Sequence, residues 1–341
     1  MVNETDAVRR AAALRHGFAF DPRHGYDLPA LRAVGAPATP DGFDAFWRAR
    51  HAAARAVEAA PVVGPRERRA AGFDVHPVRY TSVGGRRIGG WLTLPSDGRV
   101  TRGCVAAHGY GGLAAPEPAL PPPGAATIWP CLRGLGARSR FPDVPEAPDA
   151  HVLHGIEGRE TYVHGACAAD VWCAASALLT LVPAAAGRLD FVGVSFGGGI
   201  GALALPWDER FHGAALTVPS FGNHPLRLTL PCTGSGEAVR ARHARDPAVA
   251  GVLRYFDAAV AASRIAVPVL VAAALFDPAV PPPGQFAVHN ALGGPAKLFV
   301  LTAGHFDYPA LDAETAALRA AQHRFLGGGD ARPQPAAGRR A

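Results

Sequence analysis

Residues 188–206 read RLDFVGVSFGGGIGALALP, and this stretch decides the fold. Arg188 to Val194 has the length and apolarity of a buried strand. The residues after it are small enough for a helix to pack tightly on a sheet. At the junction stands Gly193-Val194-Ser195-Phe196-Gly197. A GxSxG pattern alone says little, because Gly and Ser crowd together in ordinary turns. Placed between a strand and a helix, it predicts a nucleophile elbow. The glycines let the chain reverse without a Cβ clash and leave Ser195 exposed, under backbone strain, at the C-terminal edge of the sheet.

Working outward, strands and helices alternate. FDVHPVRYTSV from Phe73, a turn at Gly85 to Arg87 and IGGWLTLP form a β-hairpin. RGCVAAHG (102–109) and AATIWPCLRG (125–134) are buried-strand runs, and the Ala-rich stretch 161–182 reads as an amphipathic helix of several turns. After the elbow come the strands AALTVP (214–219), PVLVAAALF (268–276) and KLFVLT (297–302), then a helix from Ala310 to Phe325. This alternation predicts an α/β architecture, with a mainly parallel central sheet and helices on both faces. Residues 1–60 add an N-terminal helical extension, in which FDAFWRARHAAARAVEAA starts near Phe43 with Asp41 as its candidate N-cap. Phe221 to Arg264 interrupts the alternation as a helical insertion before the penultimate strand. The expectation is one domain over 1–326, with the insertion at about 221–264, and a disordered tail over 327–341. The PPP runs at 121–123 and 281–283 read as stiffened loops.

A serine hydroxyl needs a base to take its proton, and that base needs a carboxylate to orient it. The chain order Ser, Asp, His fits this topology. Asp277 closes the strand PVLVAAALF before Pro278, and His305 follows KLFVLT in Ala303-Gly304-His305. Competing residues are less well placed. His289 and His323 fall in helices, Asp257 lies within the insertion, and Asp307 is too near His305 to project from another strand end. The loop His108-Gly109-Tyr110-Gly111-Gly112 follows an earlier strand. Its glycines let backbone N–H groups face the site, so the amides of Tyr110 and Phe196 are the candidate oxyanion hole. His108, in that loop and ahead of the nucleophile, takes a structural role.

Composition narrows the remaining classes. The 341 residues include 40 Gly and 32 Pro, about a fifth of the chain against a usual ~12%. Net charge is +6, but Lys297 is the single lysine and the arginines are spread from end to end, without a polybasic run or aromatic platform for nucleic acid. The five cysteines form no CxxC pair, so neither a disulfide framework nor a zinc ribbon is expected. His151 and His154 have ligand-like spacing without accompanying Cys, Asp or Glu, and no metal or nucleotide cofactor is expected. The N-terminus lacks a secretory pattern, and no run reads as a membrane span. The expected setting is cytoplasmic.

A wider set of stretches carries a resemblance. YDLPALRAV, FDAFW, RYTSVGGRRIGGWLTLP, HGYGG, LRGLG, HGIEGRETYVHGACAADVWCAASAL, GVSFGGG, YFDAAVAASRIAVPVLVAAALFDPAVPPP and TAGH occur in this order across 27–326. Together they make the chain resemble the acetyl xylan esterase and cephalosporin C deacetylase family. That resemblance implies an α/β-hydrolase fold, hydrolysis of acetyl esters on sugars and small molecules without a cofactor, and a homo-oligomer, commonly a ring-like hexamer. It assigns the family's serine, aspartate and histidine to Ser195, Asp277 and His305, and its oxyanion tyrosine to Tyr110. Two positions depart: Phe196 stands where the family usually has Gln, and Leu135 replaces Gln in an Arg-Gly-Gln motif. Both exchange an amide for an apolar side chain, so a bulkier or more apolar acylated metabolite is the expected substrate. An acyltransferase or cyclising thioesterase with the same three residues, or a non-catalytic binding protein, remains an alternative at this point.

Overall fold

Ten strands form one sheet in this computed structural model, which describes residues 4–328. In chain order they are β1 Val62–Val63, β2 Arg68–Ala70, β3 Phe73–Ser82, β4 Arg86–Pro95, β5 Arg102–Ala107, β6 Ala125–Pro130, β7 Leu189–Val194, β8 Phe211–Thr217, β9 Val269–Ala274 and β10 Ala296–Leu301. Across the sheet the order is β1-β3-β4-β6-β5-β7-β8-β9-β10, with β2 paired to β3. The expected hairpin is β3–β4, joined by a turn in which Gly84 and Gly85 take positive φ. From β6 onward all pairings are parallel.

Twelve helices accompany the sheet among the described residues. The N-terminal extension supplies α1 Glu4–Ala13, α2 Leu28–Arg32 and α3 Phe43–Arg55, followed by α4 Pro148–His151, α5 Val163–Leu181 and α6 Phe196–Ala204. The segment between β8 and β9 holds α7 His224–Arg227, α8 Gly234–Arg245, α9 Val249–Leu253 and α10 Ala258–Ala262, and α11 Pro282–Asn290 and α12 Leu311–Gly327 follow. Strand β9 shows why both faces must be covered. Val269, Val271 and Ala273 join the core under α5, α6 and α11, while Leu270, Ala272 and Ala274 join Leu318 and Ala321 of α12. A strand buried on both sides reads as a continuous apolar run, as VLVAAA does.

Several local expectations need correction. Asp41 does not cap α3. Gly42, in the left-handed conformation at φ 73°, occupies the N-cap, and the Asp41 carbonyl instead accepts from the Tyr255 hydroxyl at 2.7 Å. The helix stops at Arg55, short of Ala60. Pro281 to Pro283 is no loop: Pro282 and Pro283 open α11, where a missing N–H costs nothing. Helix α5, with 19 residues and mean hydropathy 1.2, is long and apolar enough to cross a membrane by length and composition. It is not the amphipathic helix expected, because it packs against β3, β5, β6, α3 and α6 and is buried nearly all round. The expected disordered tail from 327 lies, beyond Gly328, outside the described residues.

Candidate active site

The C-terminal edge of the sheet gathers the predicted residues. Ser195 follows β7 at φ 54° and ψ −115°, a backbone state costing about 1–3 kcal/mol that the surroundings must impose. They do so through glycine. A Cβ on Gly193 would meet the Gly197 carbonyl oxygen at 2.5 Å, and one on Gly197 would meet the Ala107 oxygen at 2.4 Å. The Ser195 amide donates to the Thr217 carbonyl at 2.8 Å, tying the elbow to the end of β8.

His305 reaches Ser195 from the loop after β10. Its Nε2 lies 2.9 Å from Ser195 Oγ, and its Nδ1 lies 2.9 Å and 3.1 Å from the two carboxylate oxygens of Asp277. His305 itself has φ 46°, and a Cβ on the preceding Gly304 would lie 2.4 Å from Asp277 Oδ2. Only glycine lets the loop pass this close to the acid. Burial pulls the His305 imidazole down, but the Asp277 carboxylate, by charge and hydrogen bond, outweighs it and the pKa is raised above 6.5. The other candidates stay apart. Asp257 caps α10, His289 bonds Asn290, and His323 contacts the Leu120 carbonyl from α12.

Asp277 is fully buried, and its remaining acceptor sites are filled. Oδ1 accepts from the amides of Ala279 and Val280, both at 2.9 Å, and Oδ2 accepts from Gln285 Nε2 at 2.9 Å. Gln285 also donates to the Val280 carbonyl at 2.7 Å and accepts from the Ala274 amide at 2.8 Å, locking the acid loop onto β9. From outside, the Asp277 amide donates to the Pro22 carbonyl at 3.3 Å. A second carboxylate braces the histidine loop. Buried Glu314 accepts from the Thr302 amide at 2.8 Å, from the Thr302 and Tyr308 hydroxyls, and from Arg10 of α1 at 3.0 Å. Sequence reasoning missed Gln285 and Glu314, because each lies in a helix and looks like ordinary helix polarity. The one available signal was the short distance from Asp277 to Gln285 along the chain.

Gly109 faces Ser195: a Cβ built there would lie 3.5 Å from Ser195 Cβ and 4.0 Å from its Oγ. The loop is set by His108. The Leu132 amide donates to its Nε2 at 3.0 Å, which leaves Nδ1–H to donate to the Gly109 carbonyl at 2.7 Å. Burial lowers His108 to about 4, so it stays neutral and holds this tautomer. Tyr110 and Phe196 come together, with ring centroids 4.2 Å apart, and the Tyr110 hydroxyl shares a hydrogen bond with His164 Nε2 at 3.1 Å. Phe196 is fully buried against His151, His164 and Phe221. Both histidines leave Nδ1 without a partner. Leu135 is buried as well, while Arg133 pairs with Asp170 at 2.8 Å. Among the described residues, no group of three His, Cys, Asp or Glu is placed to hold a metal ion.

Comparison with known proteins agrees with this architecture. Residues 30–318 match the family model Acetyl xylan esterase (AXE1). An acetyl xylan esterase from Paenibacillus sp. R4 superimposes with TM-score 0.74 at 22% identity, covering 87% of this chain and 99% of that one. Acetyl xylan esterase 1 from Thermoanaerobacterium sp. JW/SL YS485 gives TM-score 0.76 at 19% identity, covering 89% and 100%. A Pyrococcus horikoshii acylaminoacyl peptidase shares the fold over 76% of this chain and 42% of its own, with TM-score 0.60 at 16% identity. With the family model spanning most of the sheet and its edge loops, this chain belongs to the acetyl xylan esterase family, carboxylic ester hydrolases of the α/β-hydrolase fold.

Proposed function

We propose that the chain hydrolyses acyl esters, acetyl esters foremost, through Ser195, His305 and Asp277. The observation that carries this reading is the unbroken run of hydrogen bonds from Ser195 Oγ through His305 to Asp277, each link 2.9 Å. As the Oγ–carbon bond forms, the Ser195 proton passes to His305 Nε2, and Asp277 stabilises the imidazolium while fixing its orientation. The carbonyl electrons move onto oxygen, where the amides of Tyr110 and Phe196 receive the charge. The bond to the alcohol oxygen then breaks as His305 returns the proton to it. Water, deprotonated by His305, attacks the acyl-enzyme and releases the acid.

Specificity follows from Phe196 and Leu135. An amide at either place would add hydrogen bonds to the packing around the site, whereas the buried ring and isobutyl group leave that packing apolar. The expected preference is for bulkier or more apolar acylated compounds over acetylated xylo-oligosaccharides. The reading is tested by phosphonylation. An organophosphonate ester should add one phosphonyl group per chain, on the peptide holding Ser195, with parallel loss of hydrolysis of acetyl esters. Labelling at another residue, or none at all, would refute it.

A further inference from the structure

Arg227, the last residue of α7, is a buried cation whose side chain has no hydrogen bond or ion pair among the described residues. It is 6% exposed, its Nε is enclosed without a hydrogen bond, and no carboxylate among the described residues pairs with it. Other enclosed arginines in this molecule are matched: Arg133 to Asp170, Arg210 to Asp208, and Arg50 to the carbonyls of Arg159 and Glu160. The carboxylates of the neighbourhood are committed elsewhere. Glu237 binds Arg240, Asp277 serves His305 and Gln285, and Asp257 accepts the amides of Asn223, His224, Ala259 and Val260, which pins α7 in place. A cation left bare in such surroundings is unfavourable unless something supplies the missing anion.

Its position says what could supply it. Arg227 Cζ lies 5.9 Å from the Phe221 ring, and that ring packs 5.8 Å from Phe196, the neighbour of Ser195. On its other side, a Cβ on Gly236 would sit 3.1 Å from an Nη of Arg227 and 3.2 Å from the Ala279 carbonyl, on the loop that carries Asp277. The guanidinium is therefore wedged between the aromatic surface beside the nucleophile and the acid loop. Two further buried groups lie in the same corner without a hydrogen bond among the described residues: the ring of His224, on the same short helix and near the Phe256 backbone, and the hydroxyl of Tyr162, whose ring packs 4.9 Å from Phe256. Burial, reinforced by the charge of Arg227, lowers His224 to about 3, so it is a neutral ring that can offer one N–H.

We propose that Arg227, His224 and the Tyr162 hydroxyl form a subsite for a carboxylate carried by the substrate, so that the preferred ester is apolar in body and anionic at one end. This rests on the esterase reading above and names the substrate class of that site. The carboxylate could belong to the acyl group or to the alcohol, and two matched pairs of esters separate these sources. Monoethyl glutarate against its terminal amide tests the acyl side, and para-acetoxybenzoate against para-acetoxybenzamide tests the alcohol side. The wild-type protein should favour the anionic member of one pair by about tenfold or more in kcat/KM. Arg227→Met should bring that ratio to about one, and Arg227→Lys should leave it in between, since an ammonium supplies charge without the planar fork. Should Arg227→Met fail to fold, wild-type hydrolysis of phenyl acetate should be inhibited competitively by benzoate and not by benzamide. A wild-type ratio of one or less in both pairs, a ratio that survives Arg227→Met, or equal inhibition by benzoate and benzamide would overturn the subsite. Failure to hydrolyse any of these esters would instead overturn the esterase reading beneath it.

Discussion

The raised pKa of His305 has a direct kinetic consequence. In the proposed mechanism His305 acts as base only when neutral, and the Asp277 carboxylate favours its charged form against the pull of burial. The acidic limb of the kcat/KM profile should therefore have its midpoint above 6.5, with activity lost as pH falls through it. Asp277→Asn removes the charge and the tautomer control. It should lower kcat by about 10⁴-fold and move that midpoint down. A stopped assay across pH reads both, and a limb centred well below 6.5 in the wild type would contradict the pairing. Gln285→Met keeps the volume but strands the Ala274 amide and removes one bond to Asp277. It should cost about 1–3 kcal/mol of stability by urea unfolding and about tenfold in kcat, with KM little changed. Ser195, Asp277 and His305 were legible in the sequence because each chemistry-bearing type sits just past an apolar strand run. Gln285 and Glu314 were not, since their roles depend on which turn of a later helix faces the loop.

At the scale of elements, the elbow and the histidine loop are held by different means. The elbow relies on close backbone approach. Gly197→Ala must push against the Ala107 carbonyl, 2.4 Å from the new Cβ, and should cost about 1–3 kcal/mol, seen as a lower unfolding midpoint. A midpoint equal to wild type would mean that β5 and the elbow do not pack as described. The loop relies on Glu314, and through it on α1. Arg10→Ala leaves the buried Glu314 without its cation, although Arg10 is itself about one-third exposed, so the loss should be about 1–2 kcal/mol. Strand and helix positions were readable from periodicity, and β3 to β10 fall close to where the apolar runs placed them. Caps were less readable. Asp41 has the right chemistry for an N-cap, but the left-handed Gly42 and the bond from Tyr255 are tertiary facts. Helix α5 shows the same limit, because the sequence does not say that an Ala-rich, all-round apolar helix will be covered on every side.

For the whole molecule, the glycines that looked merely numerous have specific places. Gly193, Gly197 and Gly304 each stand where a side chain would strike the backbone or side chains that hold Ser195, His305 and Asp277 together. The charge of +6 is an arginine surplus, much of it held in surface ion pairs, and among the described arginines that form none Arg227 is the buried one. A homo-oligomer, with the ring-like hexamer implied by the family resemblance, is our proposal for its assembly. Sedimentation velocity should show a species of about six chains, and a lone monomer at micromolar concentration would contradict that. The proposed hydrolysis depends on one serine in a strained turn. Its most direct test is steady-state hydrolysis of para-nitrophenyl acetate by the wild-type protein and by Ser195→Ala, with folding of the variant checked by circular dichroism. A loss of about 10⁶-fold in kcat with the fold intact is the predicted result, and a variant that keeps near-normal turnover would contradict it.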